Sequence, residues 1–280
     1  MAHSPEPRTN LPILRWLPTP LLRKVPTITL IFWIIKLLST AMGESTSDYL
    51  VFHINPYVAV IFGGVGLVVS LALQLRTRSY VPWIYWLAVT MVAIFGTMAA
   101  DVLHVVLGIP YMASAAFFGL ALVVVFVLWH RTEHTLSIHS ITSPQRELFY
   151  WATVMATFAL GTAAGDLTAA TLGLGYLASG ILFALLFAAP AVAYWRLGLN
   201  PIAAFWIAYV ITRPLGASFA DWFGKSALGG LGLGDAKVSV VLTLLITGSV
   251  AYLTVTRRDL ALREGGLPDD LEDDLEPARG

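Results

Sequence analysis

Eight apolar segments, each about 20 residues long, recur along the chain and decide the solvent in which it can fold. They lie at roughly 26–47, 56–75, 82–103, 110–129, 148–167, 175–195, 201–221 and 237–256. About 20 apolar residues make a helix long enough to cross the hydrocarbon core of a bilayer. Lipid offers no partner to an unpaired backbone group, so each crossing segment is expected to be helical. Charged residues make up only 12% of the 280, hydrophobic residues 57%, and the mean hydropathy is +0.75. A soluble domain carries about 25% charged residues, so polar side chains here cannot cover a soluble globule. The expected fold is an all-α integral membrane protein with the lipid bilayer as its partner. The 17 basic and 17 acidic residues cancel, which argues against nucleic acid as a partner. With no cysteine there is no disulfide framework, thiol nucleophile or thiolate metal site. Before residue 26, Pro12, Pro18 and Pro20 interrupt the apolar stretches, so the first span is expected to remain as an uncleaved anchor.

The basic residues sort by loop. Thirteen Lys and Arg residues fall in the N-terminal arm, the even-to-odd links and the C-terminal tail, and only Lys225 and Lys237 fall on the opposite side. The positive-inside rule makes the thirteen-residue side cytoplasmic, with both termini inside. The expected organisation is an arm (1–25), a first half of four spans (26–129), a cytoplasmic link (130–147), a second half of four spans (148–256) and a tail (257–280). The tail carries eight acids and reads as a solvated segment.

The halves are built from a smaller unit. Asp48, Asp101, Asp166 and Asp221 each lie near the outer end of an odd-numbered span. Five residues before each is a glycine (Gly43, Gly96, Gly161, Gly216), and fifteen before each is a tryptophan (Trp33, Trp86, Trp151, Trp206). An aromatic residue precedes every tryptophan, and a small residue (Ser47, Ala100, Gly165, Ala220) precedes every aspartate. The successive aspartates are 53, 65 and 55 residues apart, so the chain is four tandem two-span units. Each unit has an even number of spans, so all four are parallel and any symmetry axis runs along the membrane normal.

This arrangement resembles a bacterial membrane-protein family defined by four tandem copies of a repeat of unknown function. Each copy in that family has two transmembrane segments and a characteristic tryptophan. Trp33, Trp86, Trp151 and Trp206 carry the resemblance, which covers residues 26 to about 256. It implies a multi-pass protein of the bacterial inner membrane and no particular activity.

The repeated residues suggest both packing and chemistry. Each glycine and its small partner four residues on form a small-xxx-small pair, which lets two helix backbones approach closely. The tryptophans lie about 22 Å from the aspartates at 1.5 Å per residue. They read as an interfacial belt or packing anchors, with an aromatic wall for an organic cation as the alternative. Trp83, Trp129, Trp195 and Trp222 fall near span ends and suit the belt. Four aspartates on close parallel helices would form a carboxylate ring, which attracts cations; otherwise they cap helix ends or form structural ion pairs.

Symmetry is broken at Lys36, Glu44 and Arg213, each present in one unit only. A charge within a span needs a partner or a wet cavity, so cross-helix pairing with Glu44, Asp48, Asp101 or Asp166 is expected. His104 follows Asp101 by three residues and shares its face if the helix continues. Asp48, Asp101, Asp166, Asp221, Glu44 and His104 are therefore the candidate ion-binding residues, and Lys36 and Arg213 the charge-pairing or switch residues. His130, His134 and His139 are too loosely spaced for a metal site, and Gly-rich 228–234 reads as a flexible hairpin.

No nucleophile–base pair or cofactor fingerprint appears, so neither an enzyme nor a resident cofactor is expected. The expected function is transport of a cation, either a hard metal ion or a proton-coupled species. A channel-like pore and a non-transporting scaffold or sensor are the alternatives.

Overall fold

A computed structural model describes residues 23–257 and Asp259. The expected arm up to residue 22, and the acidic tail apart from Arg257 and Asp259, lie outside the described residues. Eight α-helices and no strand are found among the described residues. They are α1 (Leu30–His53), α2 (Pro56–Arg76), α3 (Pro82–Asp101), α4 (Tyr111–Glu133), α5 (Pro144–Asp166), α6 (Gly175–Leu197), α7 (Pro201–Gly224) and α8 (Asp235–Thr256). The protein is a multi-pass, all-α membrane protein.

Local sequence explains where the helices begin and end. Proline opens α2, α3, α5 and α7, at the position where its missing N–H costs nothing. Asn55 and Asn200 cap α2 and α7 by accepting from the next two free amides. Residues in left-handed conformation stop α4, α6 and α8, at His134, Gly198 and Arg257. Immediately after Asp101 and Asp166, α3 and α5 widen into π-turns, Val102–Val106 and Leu167–Thr171.

Seven helices are long and apolar enough to cross a membrane by length and composition. The exception is α1, where eight such spans were expected. It has 24 residues but carries Lys36, Glu44 and Asp48 and a run of hydroxyl side chains. That polarity is buried, because α1 is enclosed by α3, α7 and α8.

The odd helices form a closed ring. Helix α1 packs on α3, α3 on α5, α5 on α7, and α7 returns to α1. The even helices surround it, each lying mainly on the odd helix of the next unit: α2 on α3, α4 on α5, α6 on α7, and α8 on α1. The two helices of one unit touch each other far less, so the units interlock around the ring instead of standing as four separate hairpins.

The repeated glycines set this geometry. A β-carbon added at Gly43 would lie 2.8 Å from the Ala93 backbone, and one at Gly96 2.8 Å from the Phe158 Cβ. One at Gly161 would lie 2.9 Å from the Pro214 ring, and one at Gly216 2.8 Å from the Thr40 Cβ. Thr40, Ala93, Phe158 and Arg213 each stand three residues before a repeated glycine. Every unit therefore makes the same contact with the next, and the fourth makes it with the first. This is cyclic pseudo-fourfold symmetry about an axis along the membrane normal.

The aromatic pairs repeat the same cycle at the opposite end of the odd helices, the tryptophan end. Phe32 meets Trp86 at 5.7 Å, Tyr85 meets Trp151 at 5.7 Å, Tyr150 meets Trp206 at 6.3 Å, and Phe205 meets Trp33 at 5.6 Å between ring centroids. Trp86, Trp151 and Trp206 are buried and Trp33 partly so. The repeated tryptophans are thus core packing anchors and not a lipid-facing belt. Trp129 is also fully buried, against Trp206, which corrects its assignment to the belt. Trp83 and Trp195 are exposed, as a belt requires.

Candidate functional site

Residues four apart share one face of a helix, so each odd helix presents a stripe to the ring axis. Counting back from each aspartate in steps of four gives layers about 6 Å apart. Beyond the aspartates comes a layer of Glu44, Thr97, Thr162 and Ala217. Next come Thr40, Ala93, Phe158 and Arg213, then Lys36, Val89, Val154 and Tyr209. All twelve residues of these three layers are buried.

Arg213 fills the axis. Its guanidinium donates to Glu44 Oε2 at 2.5 Å, to the Thr162 hydroxyl at 2.7 Å, to the Thr40 carbonyl at 3.2 Å and, at very close range, to the Thr97 hydroxyl. One side chain from the fourth unit thereby joins the other three. Lys36 lies on its other side, against Phe158. No acceptor or carboxylate among the described residues pairs with the Lys36 ammonium, which instead lies 4.0 Å from the Phe158 ring centroid and 4.3 Å from that of Tyr209. The expected carboxylate partner for Lys36 is therefore absent among the described residues, and aromatic faces take its place. Beyond Lys36 the Tyr85 and Tyr150 hydroxyls hydrogen-bond to each other, within the layer of paired aromatic rings.

At the aspartate end the axis widens into a cavity of about 270 Å³. Glu44, Asp48, Asp101 and Asp166 line it, together with Tyr111, Tyr176, Lys225 and several apolar residues. The Lys225 ammonium bridges the remaining aspartate to its neighbour, 2.8 Å from Asp48 Oδ2 and 2.9 Å from Asp221 Oδ1. It also approaches the Tyr176 ring, at 5.7 Å. Burial works to lower the Lys225 pKa, but Asp221, Asp48 and Glu44 outweigh it and hold the ammonium well above the usual lysine range. Neither Asp101 nor Asp166 has an ion-pair or hydrogen-bond partner among the described residues. Glu44, Asp166 and Asp221 can bring one oxygen each within 4.8 Å of one another, close enough to share a metal ion.

Two expected contributors lie elsewhere. His104 falls in the π-turn after Asp101, so the helix does not continue regularly and the three-residue spacing no longer aligns the two side chains. One imidazole nitrogen lies 2.9 Å from the Ile109 carbonyl, and the ring stacks on Tyr111 at 3.5 Å. His104 thus backs a cavity residue and does not join the carboxylates. Lys36 is separated from the cavity by the Arg213 layer.

The family model described as Repeat of Unknown Function (DUF347) matches the chain four times, over residues 31–80, 84–135, 149–199 and 204–259. The chain belongs to the DUF347 family. Each DUF347 repeat supplies one aspartate, one close-contact glycine and one aromatic–tryptophan pair to the ring. No curated protein and no solved structure matches the chain.

Lys225 is the site residue that sequence reasoning missed. Its signal was present: it stands four residues after Asp221, one turn further on, and is one of only two bases on its side. The Gly-rich segment after it is ordered by the end of α7. The amides of Leu231, Gly232, Leu233 and Gly234 donate to the carbonyls of Trp222, Lys225, Phe223 and Gly224, so the segment expected as a flexible hairpin is tied to the helix end. A second missed cluster lies at the tryptophan end, where buried Glu147 accepts from Lys24 Nζ at 2.5 Å and from Gln74 Nε2 at 2.9 Å. It ties the chain before α1 to α2 and α5.

Proposed function

We propose that this protein is a cation carrier of the bacterial inner membrane. The substrate site is the carboxylate ring at the aspartate end, and the cytoplasm is at the tryptophan end, with both termini inside. The observation that carries the proposal is the cavity in which the carboxylates converge, with two of them left unpaired. Among the described residues, five carboxylates, Glu44, Asp48, Asp101, Asp166 and Asp221, gather around two cationic groups that pair with them, Lys225 and Arg213. In a low-dielectric interior such an excess of negative charge requires protons or a bound cation.

The closed axis favours a carrier over a channel. Below the cavity, Arg213 and its hydroxyl partners fill the centre, and the aromatic layer follows. An ion crosses only if these layers rearrange. The unpaired Asp101 and Asp166 disfavour a scaffold, in which every intramembrane carboxylate would be matched.

Purified protein in vesicles is tested for uptake of Mn²⁺, Mg²⁺, Na⁺ and organic ammonium ions, with and without a pH gradient. Uptake of at least one cation is expected, and Asp101→Asn reduces it while leaving the thermal unfolding transition in place. Unchanged uptake in every single and double Asp→Asn variant of the ring overturns the proposal.

A further inference from the structure

The carboxylate ring is occupied on one side only. Lys225 fills the interval between Asp48 and Asp221, which belong to the first and fourth units. Across the axis, Asp101 and Asp166 belong to the second and third units. They face the same cavity, and no cation among the described residues lies within ion-pair distance of either. Lys225 also displays the chemistry that suits the wall. It is a primary ammonium on a hydrocarbon stem, seated against two carboxylates and close to the ring of Tyr176. The other side offers the same mixture: two carboxylates, the Tyr111 ring, and the apolar surfaces of Val102 and Ala170.

The shape argues against a bare metal ion. A cavity of about 270 Å³ has room for roughly nine water molecules at about 30 Å³ each. A divalent ion takes six or more oxygen ligands at about 2.0–2.6 Å and gains nothing from hydrocarbon walls. In the trio able to share a metal, Glu44 is already paired with Arg213 and Asp221 with Lys225, so two fixed cations stand beside any ion placed there. An alkylammonium uses both the charge and the apolar surface.

We propose, on the basis that the ring is the substrate site, that the cavity binds a primary alkylammonium. Its head group lies between Asp101 and Asp166 and its hydrocarbon body against Val102 and Ala170. The Lys225 side chain is the built-in counterpart of this ligand on the other side of the ring.

The test is ligand-induced thermal stabilisation of the full chain in detergent, with n-butylammonium, tetramethylammonium, n-butanol and Mn²⁺ as probes. Saturable stabilisation by n-butylammonium is expected, with at least tenfold weaker binding for tetramethylammonium and none for n-butanol. Asp101→Asn and Asp166→Asn each weaken n-butylammonium binding at least tenfold against their own unliganded baselines, whereas Lys237→Met, at an exposed position outside the cavity, leaves it in place. If a variant does not fold, competition for n-butylammonium in the wild-type protein decides: displacement by ethylammonium supports the proposal, and displacement only by Mn²⁺ overturns it. Absence of butylammonium binding, or binding unaffected by both Asp→Asn variants, also overturns it. Vesicle uptake separates the two proposals. Mn²⁺ uptake without amine binding leaves the carrier standing and removes the amine site, and amine binding without uptake of any cation does the reverse.

Discussion

Removing the Arg213 guanidinium leaves Glu44 charged, buried and without its ion-pair partner, and leaves Thr97 and Thr162 without their donor. Breaking a buried pair from one side costs about 3–5 kcal/mol, because the surviving charge is uncompensated. Arg213→Met is therefore expected to lower the thermal unfolding temperature strongly. Glu44→Gln in the same chain is expected to recover most of the loss, since it removes the orphaned charge. A single Arg213→Met variant as stable as wild type would contradict the assigned pairing. This residue pair was half legible in the sequence. Glu44 and Arg213 stood out because each interrupts a fourfold pattern, and a span cannot hold either one unpaired. Lys36 stood out for the same reason, yet its surroundings were hidden. Phe158 and Tyr209 reach it from other helices, and no local spacing announces an aromatic seat for an ammonium.

At the scale of the helix, the repeated glycines decide how closely the ring can close. A β-carbon at Gly96 falls 2.8 Å from the Phe158 Cβ, well inside van der Waals contact. Gly96→Ala is expected to destabilise by about 1–3 kcal/mol, the usual cost of overpacking a tight core. Gly248 on α8 is the control, because a β-carbon there meets nothing within 4 Å. Gly248→Ala is expected to be neutral or slightly stabilising, given alanine's greater helix propensity. Equal effects at the two positions, measured by thermal unfolding in detergent, would remove the close contact from the account. The four-residue spacing of glycine and small residue marked these faces in the sequence. It did not say which neighbour each face meets, because that depends on ring closure. The π-turns after Asp101 and Asp166 were likewise invisible, since nothing in the apolar pattern distinguishes a widened turn from a regular one.

The whole molecule is a ring whose last helix returns to its first. Helix α8 lies on α1, and the Thr46 and Ser239 hydroxyls are 2.5 Å apart across that contact. The chain has no cysteine, so Thr46→Cys with Ser239→Cys introduces a single pair against a clean background. That pair is expected to form a disulfide under mild oxidation, read by mass spectrometry of the digested protein; failure to cross-link would argue against this closure. Four parallel repeats could be read from the sequence, and so could the axis they imply. The interlocking of each outer helix with the next unit could not, because lipid-facing helices carry no mark of the neighbour they choose. The ring matters for function because it places five carboxylates around one axis above a closed centre. Transient currents from vesicles carrying the protein on a solid-supported membrane test this most directly. A jump in the concentration of a transported cation is predicted to give a saturable current, reduced at least tenfold by Asp101→Asn with Asp166→Asn in a protein that still unfolds cooperatively. No saturable current with any metal or ammonium ion, or equal currents from that double variant, would contradict the account.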